Sequence, residues 1–333
     1  MKLNKTQLTI NFIKDNSLQD RPNRQIARML FEKYPAYFKD SEDARYFIRR
    51  VFGQVGEHRK NKIADKSLYM PAKKVTPFKI PEPDSEDFQP YKLPKNWDRF
   101  ILAGDFHVPN HRIPPIEAMI KYAQDNDIKK FLLNGDLLDN TPFTRWLREP
   151  VTPSDVPRWF DMAIELLRYF KSIFDEVIFL EGNHDFWYKR YLMQKAPELF
   201  GDPFYELENR LKLNEIGIKF VPQEYLVKAG KLNIHHGHIT FRGGGSYANA
   251  ARMLSQKTKS SMICSHVHVE SSHTEPNIDD TIATCFTTGC MCSLKPQYQP
   301  FGGKSCHGFA DITVLPNGHS QVRNYRIANG EIL

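Results

Sequence analysis

The chain has 333 residues, 41% of them hydrophobic and 26% charged. This suits one large domain with an appendage and excludes wholesale disorder. Its apolar runs, such as Phe131-Leu132-Leu133, are far too short to span a bilayer, so no membrane partner is expected. The net charge of +7 is unevenly placed: residues 1–74 hold 17 Lys+Arg against 8 Asp+Glu, and the remainder holds 29 against 31. A basic excess confined to one segment predicts a polyanionic partner, with an unliganded, solvated basic helix as the plainer alternative. The opening Met1-Lys2-Leu3-Asn4-Lys5 has no apolar leader, and the five cysteines all follow residue 260. Both features predict a reduced, cytoplasmic chain.

Residues 1–66 read as a small helical module. Ile26, Met29 and Leu30 form one stripe behind Pro22-Asn23. Ser41 is the expected N-cap of a second helix, with Glu42 and Asp43 in its first turn and Arg49 and Arg50 in its last. Gly53 and Gly56 close it before His58-Arg59-Lys60. Two helices around a turn, the second basic, predict a helix-turn-helix-like arrangement. Residues 67–97 are rich in proline (71, 77, 81, 83, 90 and 94) and predict an extended linker.

From residue 98 strands and helices alternate. Strands are expected at 100–103, 131–133 and 177–180, with helices near 114–125 and 156–174. The second helix carries Ala163, Leu166, Leu167, Phe170, Ile173 and Phe174 on one face. Short apolar strands joined by helices predict a parallel sheet covered on both faces. Beyond residue 215 short strands dominate, at 217–221, 225–228, 231–235, 260–264, 282–287, 309–315 and 320–326.

Each of the first three strands runs into metal-binding residue types: Gly104-Asp105-Phe106-His107, then Gly135-Asp136-Leu137-Leu138-Asp139, then Gly182-Asn183-His184-Asp185. Later strands run into His235-His236-Gly237-His238 and Ser265-His266-Val267-His268. In open parallel sheets ligands gather beyond the carboxyl ends of the strands. Alternate residues of an extended chain point the same way, so Asp-x-His and His-x-His can each send two side chains to one cluster. Oxygen and nitrogen donors without thiolate suit Mn²⁺, Fe or Zn²⁺, and a shared Asp can hold two ions together.

This ordered set of motifs resembles the calcineurin-like metallophosphoesterase superfamily over 98–333. The resemblance implies an α/β fold, a two-sheet sandwich flanked by helices, with two divalent ions, Mn²⁺ foremost and Zn²⁺, Fe or Mg²⁺ as alternatives. One ion would be held by Asp105, His107, Asp136 and His268, the other by Asn183, His236 and His266, with Asp136 bridging. His184 would be the general acid or charge stabiliser, oriented by Asp139 or by Asp185. Two departures stand out: Ser265 replaces the glycine usual in the last motif, and Asn140 follows Asp139 where protein phosphatases have Asp-Arg-Gly. The third motif likewise ends in Asp185 rather than the Glu of that branch. The departures at Asn140 and Asp185 point toward phosphodiesterases and nucleases. With the basic module, they lead to an expected nuclease that hydrolyses DNA with a metal-activated hydroxide. The alternatives are a phosphomonoesterase, a small-molecule phosphodiesterase, or a DNA-binding protein on an inactive scaffold.

Other residues keep two readings. His235 and His238 could contact phosphate or support the ligands from behind. Arg242-Gly243-Gly244-Gly245-Ser246 could contact substrate or form a plain loop. Cys290, Cys292 and Cys306 match no common zinc spacing and are expected as buried free thiols. Tyr298 and Phe301 could stack on a base, with core or loop packing the default.

Overall fold

A computed structural model describes residues 4–16, 18, 21–52, 55, 89–145, 152, 155–241, 249–276, 281–296, 301 and 303–333. The chain divides into two units, Met1–Asp87 and Phe88–Leu333.

The first unit contains helices α1 (Lys5–Asp15), α2 (Asn23–Lys33) and α3 (Ser41–Val51). Its core is Leu8, Phe12, Ile13, Ile26, Leu30, Phe38, Ala44, Ile48 and Phe52. The N-cap of α3 is Asp40, not Ser41: its Oδ1 accepts the amide of Asp43 at 2.8 Å, which places Ser41 inside the helix. Lys5 on α1 pairs with Asp43 on α3 at 2.6 Å. The connection from Tyr34 to Asp40 is seven residues long, so α2 and α3 lack the short turn of a standard helix-turn-helix. Gly53, Gly56 and His58-Arg59-Lys60 lie outside the described residues, as do residues 67–88 of the expected linker. The remainder of that linker belongs to the second unit, because Tyr91–Lys92 forms a strand and Trp97 is buried.

The second unit is assembled from β1 (Tyr91–Lys92), β2 (Arg99–Ala103), α4 (Ile113–Asp125), β3 (Lys130–Asn134), α5 (Asp155–Ile173), β4 (Glu176–Leu180), α6 (Asn183–Lys195), α7 (Leu207–Arg210) and α8 (Leu213–Ile216). It continues with β5 (Ile218–Val221), β6 (Val227–Ala229), β7 (Leu232–His235), α9 (Ala250–Thr258), β8 (Met262–Cys264), β9 (Ser271–Pro276), β10 (Ile282–Thr287), β11 (His307–Val314), β12 (Ser320–Ala328) and β13 (Glu331–Ile332). One sheet has the order β13-β12-β11-β2-β3-β4-β5 and the other β1-β6-β7-β8-β10-β9. Strands β2 to β5 are mutually parallel, and β11 and β12 extend that sheet antiparallel.

Period-two alternation separates the two faces of the first sheet. Phe100, Leu102, Leu132, Ile178 and Leu180 meet Ile234 and Ile263 of the second sheet. Ile101, Phe131, Leu133, Val177 and Phe179 pack instead with Met119 of α4 and Ala163, Leu167 and Phe170 of α5. Both faces are buried, which is why these strands are unbroken apolar runs. Helix α9 covers the far side of the second sheet through Ala250, Ala251 and Leu254. The sandwich flanked by helices is therefore as expected, with β1, β9, β13 and α6 to α9 as additional elements. Among the described residues no helix is long and apolar enough to cross a membrane.

Candidate metal centre

The parallel strands β2, β3 and β4 deliver their carboxyl ends to the same edge as β7 and β8. Buried polar groups join the two sheets there. Asn134 Nδ2 donates to Ser265 Oγ at 2.9 Å and to the carbonyl of His235 at 3.3 Å. The Ser265 hydroxyl also lies 2.9 Å from that of Thr288. Ser265, the departure from glycine, is thus a fully partnered link between the sheets.

Beyond the strand ends the first two motif loops run side by side. The amides of Asp105, His107 and Val108 donate to the carbonyls of Gly135, Asp136 and Leu137 at 2.8–3.0 Å. The expected extended geometry of the motifs does not occur. Asp105, His107, Asp136, His266 and His268 all have φ between +48° and +68°. Alternate ligands converge because the backbone turns at each of them, not because it is straight.

Two glycines leave room for this. A Cβ on Gly135, where φ is +82°, would lie 2.4 Å from His236 Nδ1. A Cβ on Gly182 would lie 2.2 Å from Asp136 Oδ1.

The structure brings six of the seven predicted ligands, all but Asn183, into shared groups. His268 Nε2 lies 3.2 Å from Asp105 Oδ1 and 3.3 Å from His107 Nε2. His107 Nε2 is 3.7 Å from both Asp105 Oδ1 and Asp136 Oδ2. Across Asp136, His236 Nε2 is 3.1 Å from the same Oδ2, and His266 completes a second group with these two. Asn183 opens α6, and the neighbouring amide of His184 donates to Asp136 Oδ1 at 2.8 Å.

A pair of divalent cations fits this donor set. Asp105 Oδ1, Asn183 Oδ1 and His236 Nε2 are buried without a hydrogen-bond partner among the described residues, which a coordinated cation would supply. The imidazoles are also anchored from behind, as metal ligands require. His236 Nδ1 donates to the Asn134 carbonyl at 2.8 Å, and His107 Nδ1 faces Asp139 Oδ1 at 3.2 Å. His268 Nδ1 faces Cys292 Sγ at 3.9 Å.

The local field differs from one imidazole to the next. Burial opposes charging His107, but Asp105, Asp139 and Asp136 outweigh it and lift its pKa to about 10. His236 is lifted to about 9 against burial, by Asp136 and Asp105. Burial, seconded by His236, pushes His266 down to about 3.

His184 stands beside the ligands. Its Nδ1 donates to the Asp139 carbonyl at 2.7 Å and lies 3.4 Å from that residue's carboxylate. Asp139 thus holds His184 chiefly through its backbone, while its carboxylate spans His107 and His184 and also receives Asn110 Nδ2 at 3.0 Å. The carboxylate of Asp185 is engaged elsewhere, accepting the amides of Leu137, Leu138 and Gly182 at 3.0–3.3 Å. Burial and the nearby Asp136 raise its pKa to about 6. Asn140 Nδ2 donates to the His184 carbonyl at 2.9 Å.

His235 uses both ring nitrogens within the fold, Nε2 donating to the Gln223 carbonyl at 2.9 Å and Nδ1 accepting the Gly237 amide at 3.1 Å, so it supports the loop. His238 Nδ1 is buried without a hydrogen-bond partner among the described residues, and its ring lies 5.7 Å from that of His236. All five cysteines are free. The contact of Cys292 with His268 has no motif to announce it. Trp187, stacked on His184, has no signal in the sequence either, because no pattern there marks the helix that carries it. Phe301 is 97% exposed, so it does not pack in the core. Residues 242–246 and Tyr298 lie outside the described residues.

The sequence model of the calcineurin-like phosphoesterases matches residues 98–271, more than half the chain, and the chain belongs to that family. Its chemistry is phosphoester hydrolysis at paired divalent cations, in keeping with the clustered ligands. The chain is 26% identical over 179 residues to the gene 54 protein of Mycobacterium phage L5, covering 51% of this chain and 69% of that protein. Among solved structures it is similar to a single mutant of Vps29 from Entamoeba histolytica, with 14% identity and a TM-score of 0.36 over 71% of this chain and 96% of that one. It is also similar to the phosphoesterase YfcE from E. coli, at 13% and 0.34 over 68% and 98%. A dimetal phosphatase from Danio rerio matches at 11% and 0.36 over 68% and 95%.

Proposed function

We propose that the protein is a two-metal phosphodiesterase acting on nucleic acid, DNA foremost, with the basic N-terminal unit adding phosphate affinity. The convergence of Asp105, His107, Asp136, His236, His266 and His268 beside Asn183 and His184 carries the hydrolytic reading. The oxygen and nitrogen donors favour Mn²⁺. When bound, the two cations supply the positive charge that polarises a phosphoryl oxygen and acidifies a water molecule. The chain's own part is to hold Asp136 between the two groups of imidazoles and to keep His184 at the edge of the cluster. From there His184 gives a proton to the leaving oxygen or stabilises its charge.

The nucleic-acid substrate is supported by the charge asymmetry of the chain and by exposed arginines on the N-terminal helices, Arg49 and Arg50 among them. Five unpaired thiols are in keeping with a cytoplasmic setting. The test is hydrolysis in Mn²⁺ of plasmid, linear duplex and single-stranded DNA beside chromogenic phosphodiester and phosphomonoester substrates. The expected result is cleavage of DNA and the diester, lost in Asp136→Asn. Turnover confined to the monoester would overturn the diesterase reading, and robust cleavage by Asp136→Asn would overturn the mechanism.

A further inference from the structure

Trp187 lies one helical turn beyond His184 on α6 and covers the face of its imidazole. The ring centroids are 3.8 Å apart and the planes 28° from parallel. Besides the Asp139 carboxylate 3.4 Å from Nδ1, two other contacts bear on the same imidazole. Its Nδ1 donates to the Asp139 carbonyl at 2.7 Å, and the His107 ring stands against it at 4.5 Å and 90°. Nε2 makes no hydrogen bond among the described residues, and the side chain keeps 21% of its surface exposed.

Trp187 is itself held in place. The Arg190 guanidinium lies 5.7 Å from its ring, and Arg190 Nη2 donates to the Phe143 carbonyl at 3.4 Å. The packing of α6 rests on other side chains, since Tyr188 and Leu192 are its buried apolar residues and Trp187 belongs to neither core cluster of the sandwich. An aromatic ring outside the core and stacked on a candidate acid is placed to serve that acid.

We propose that Trp187 is a positioning residue that fixes the plane of the His184 imidazole, so that Nε2 addresses the leaving oxygen. This rests on the reading of His184 as the proton donor. In that step the Nε2 proton passes to the leaving oxygen as the P–O bond breaks. Water supplies the oxygen of the new P–O bond, and its proton returns to Nε2. The Asp139 contacts hold one edge of the ring and His107 meets it edge-on, which leaves its face to be fixed by Trp187. Stacking on Trp187 keeps the ring from tilting, and near-attack geometry is sensitive to such shifts.

The test uses the full-length, Mn²⁺-loaded protein and aryl phosphodiesters whose leaving phenols run from p-nitrophenol to phenol. A good leaving group needs little proton donation and a poor one needs much. His184→Asn is expected to lose far more kcat on the phenyl ester than on the p-nitrophenyl ester. Trp187→Leu should repeat this in part, with kcat down about tenfold on the phenyl ester, within about twofold on the p-nitrophenyl ester, and KM unchanged. Trp187→Phe should restore the phenyl ester rate. Metal content and melting temperature report folding, and Trp187→Gln serves as the unstacked variant if the leucine protein does not fold. Equal losses on both esters, or no loss on either, in the unstacked variant would overturn the proposal while leaving His184 as the acid. Equal losses in His184→Asn would overturn the acid role and the proposal with it.

Discussion

Five of the seven predicted metal ligands sit where few side chains go. At positive φ an L residue loses about 1–2 kcal/mol to contact between its Cβ and the backbone. Asp and His tolerate that region better than most residues, and here they are also the candidate metal donors. The surrounding hydrogen bonds over-determine the conformation, as at Asp105, where the His266 amide donates to Oδ2 at 2.8 Å. Gly135 shows how little slack remains. Gly135→Ala meets the φ penalty and also drives a methyl into the His236 ring. It is expected to lower stability by about 2 kcal/mol through the backbone alone. By displacing His236, it should also shrink the rise in melting temperature that Mn²⁺ gives the wild type. Thermal unfolding with and without Mn²⁺ measures both, and an undiminished metal-dependent rise would contradict the role given to His236.

Strands β2 and β11 show how an element secures itself away from the centre. Asp311 on β11 is buried, and Arg99 on β2 grips it with two bonds, at 3.1 and 2.8 Å. Tyr122 and Arg323 add contacts at 3.0 and 3.2 Å. Burial alone would raise this carboxyl's pKa, but the hydrogen bonds and the charge of Arg99 outweigh it and hold the group below the usual range. A carboxyl whose folded pKa is depressed stabilises the fold at pH above the unfolded value of about 4, and the gain is lost as pH falls through the folded value. Asp311→Asn is expected to cost about 1.5–3 kcal/mol near neutrality. The gap from wild type should close as pH drops below about 4. Denaturant melts across pH read this directly, and a gap that widens in acid would reverse the sign assigned here. Helix α6 is tied in differently. Asp185 gathers three amides from two loops, so the helix start and the end of β3 are fastened by a single side chain.

At the scale of the whole molecule, charge and catalysis are assigned to different units. If the N-terminal unit contacts phosphates, replacing Arg49 and Arg50 together by Gln should weaken DNA binding at every sequence. It should also lower the slope of log affinity against log salt by about 2. Turnover of a small chromogenic diester should be unaffected, because both residues belong to the other unit. Filter binding over a salt series is the measurement, and an unchanged slope would remove these two arginines from the interface.

The family, the order of the motifs that carry the candidate ligands and the strands that deliver them were all legible in the residues. Metal chemistry restricts the donor types at fixed spacings, and strands such as Phe100–Ala103 declare themselves by burial on both faces. Less could be read where the decisive partner is remote or the local pattern is ambiguous. Asn183-His184-Asp185 passes for a turn until Asp185 is seen accepting the Gly182 amide at the head of a helix. The grip of the Asn134 carbonyl on His236 joins residues 102 positions apart, and the contact of Cys292 with His268 follows no motif. Tertiary structure alone settled how the ligands turn inward, which histidine supports and which faces the centre, and what lies over His184. Each of these depends on where a folded backbone places groups that are distant in sequence, and residue identity carries no record of that.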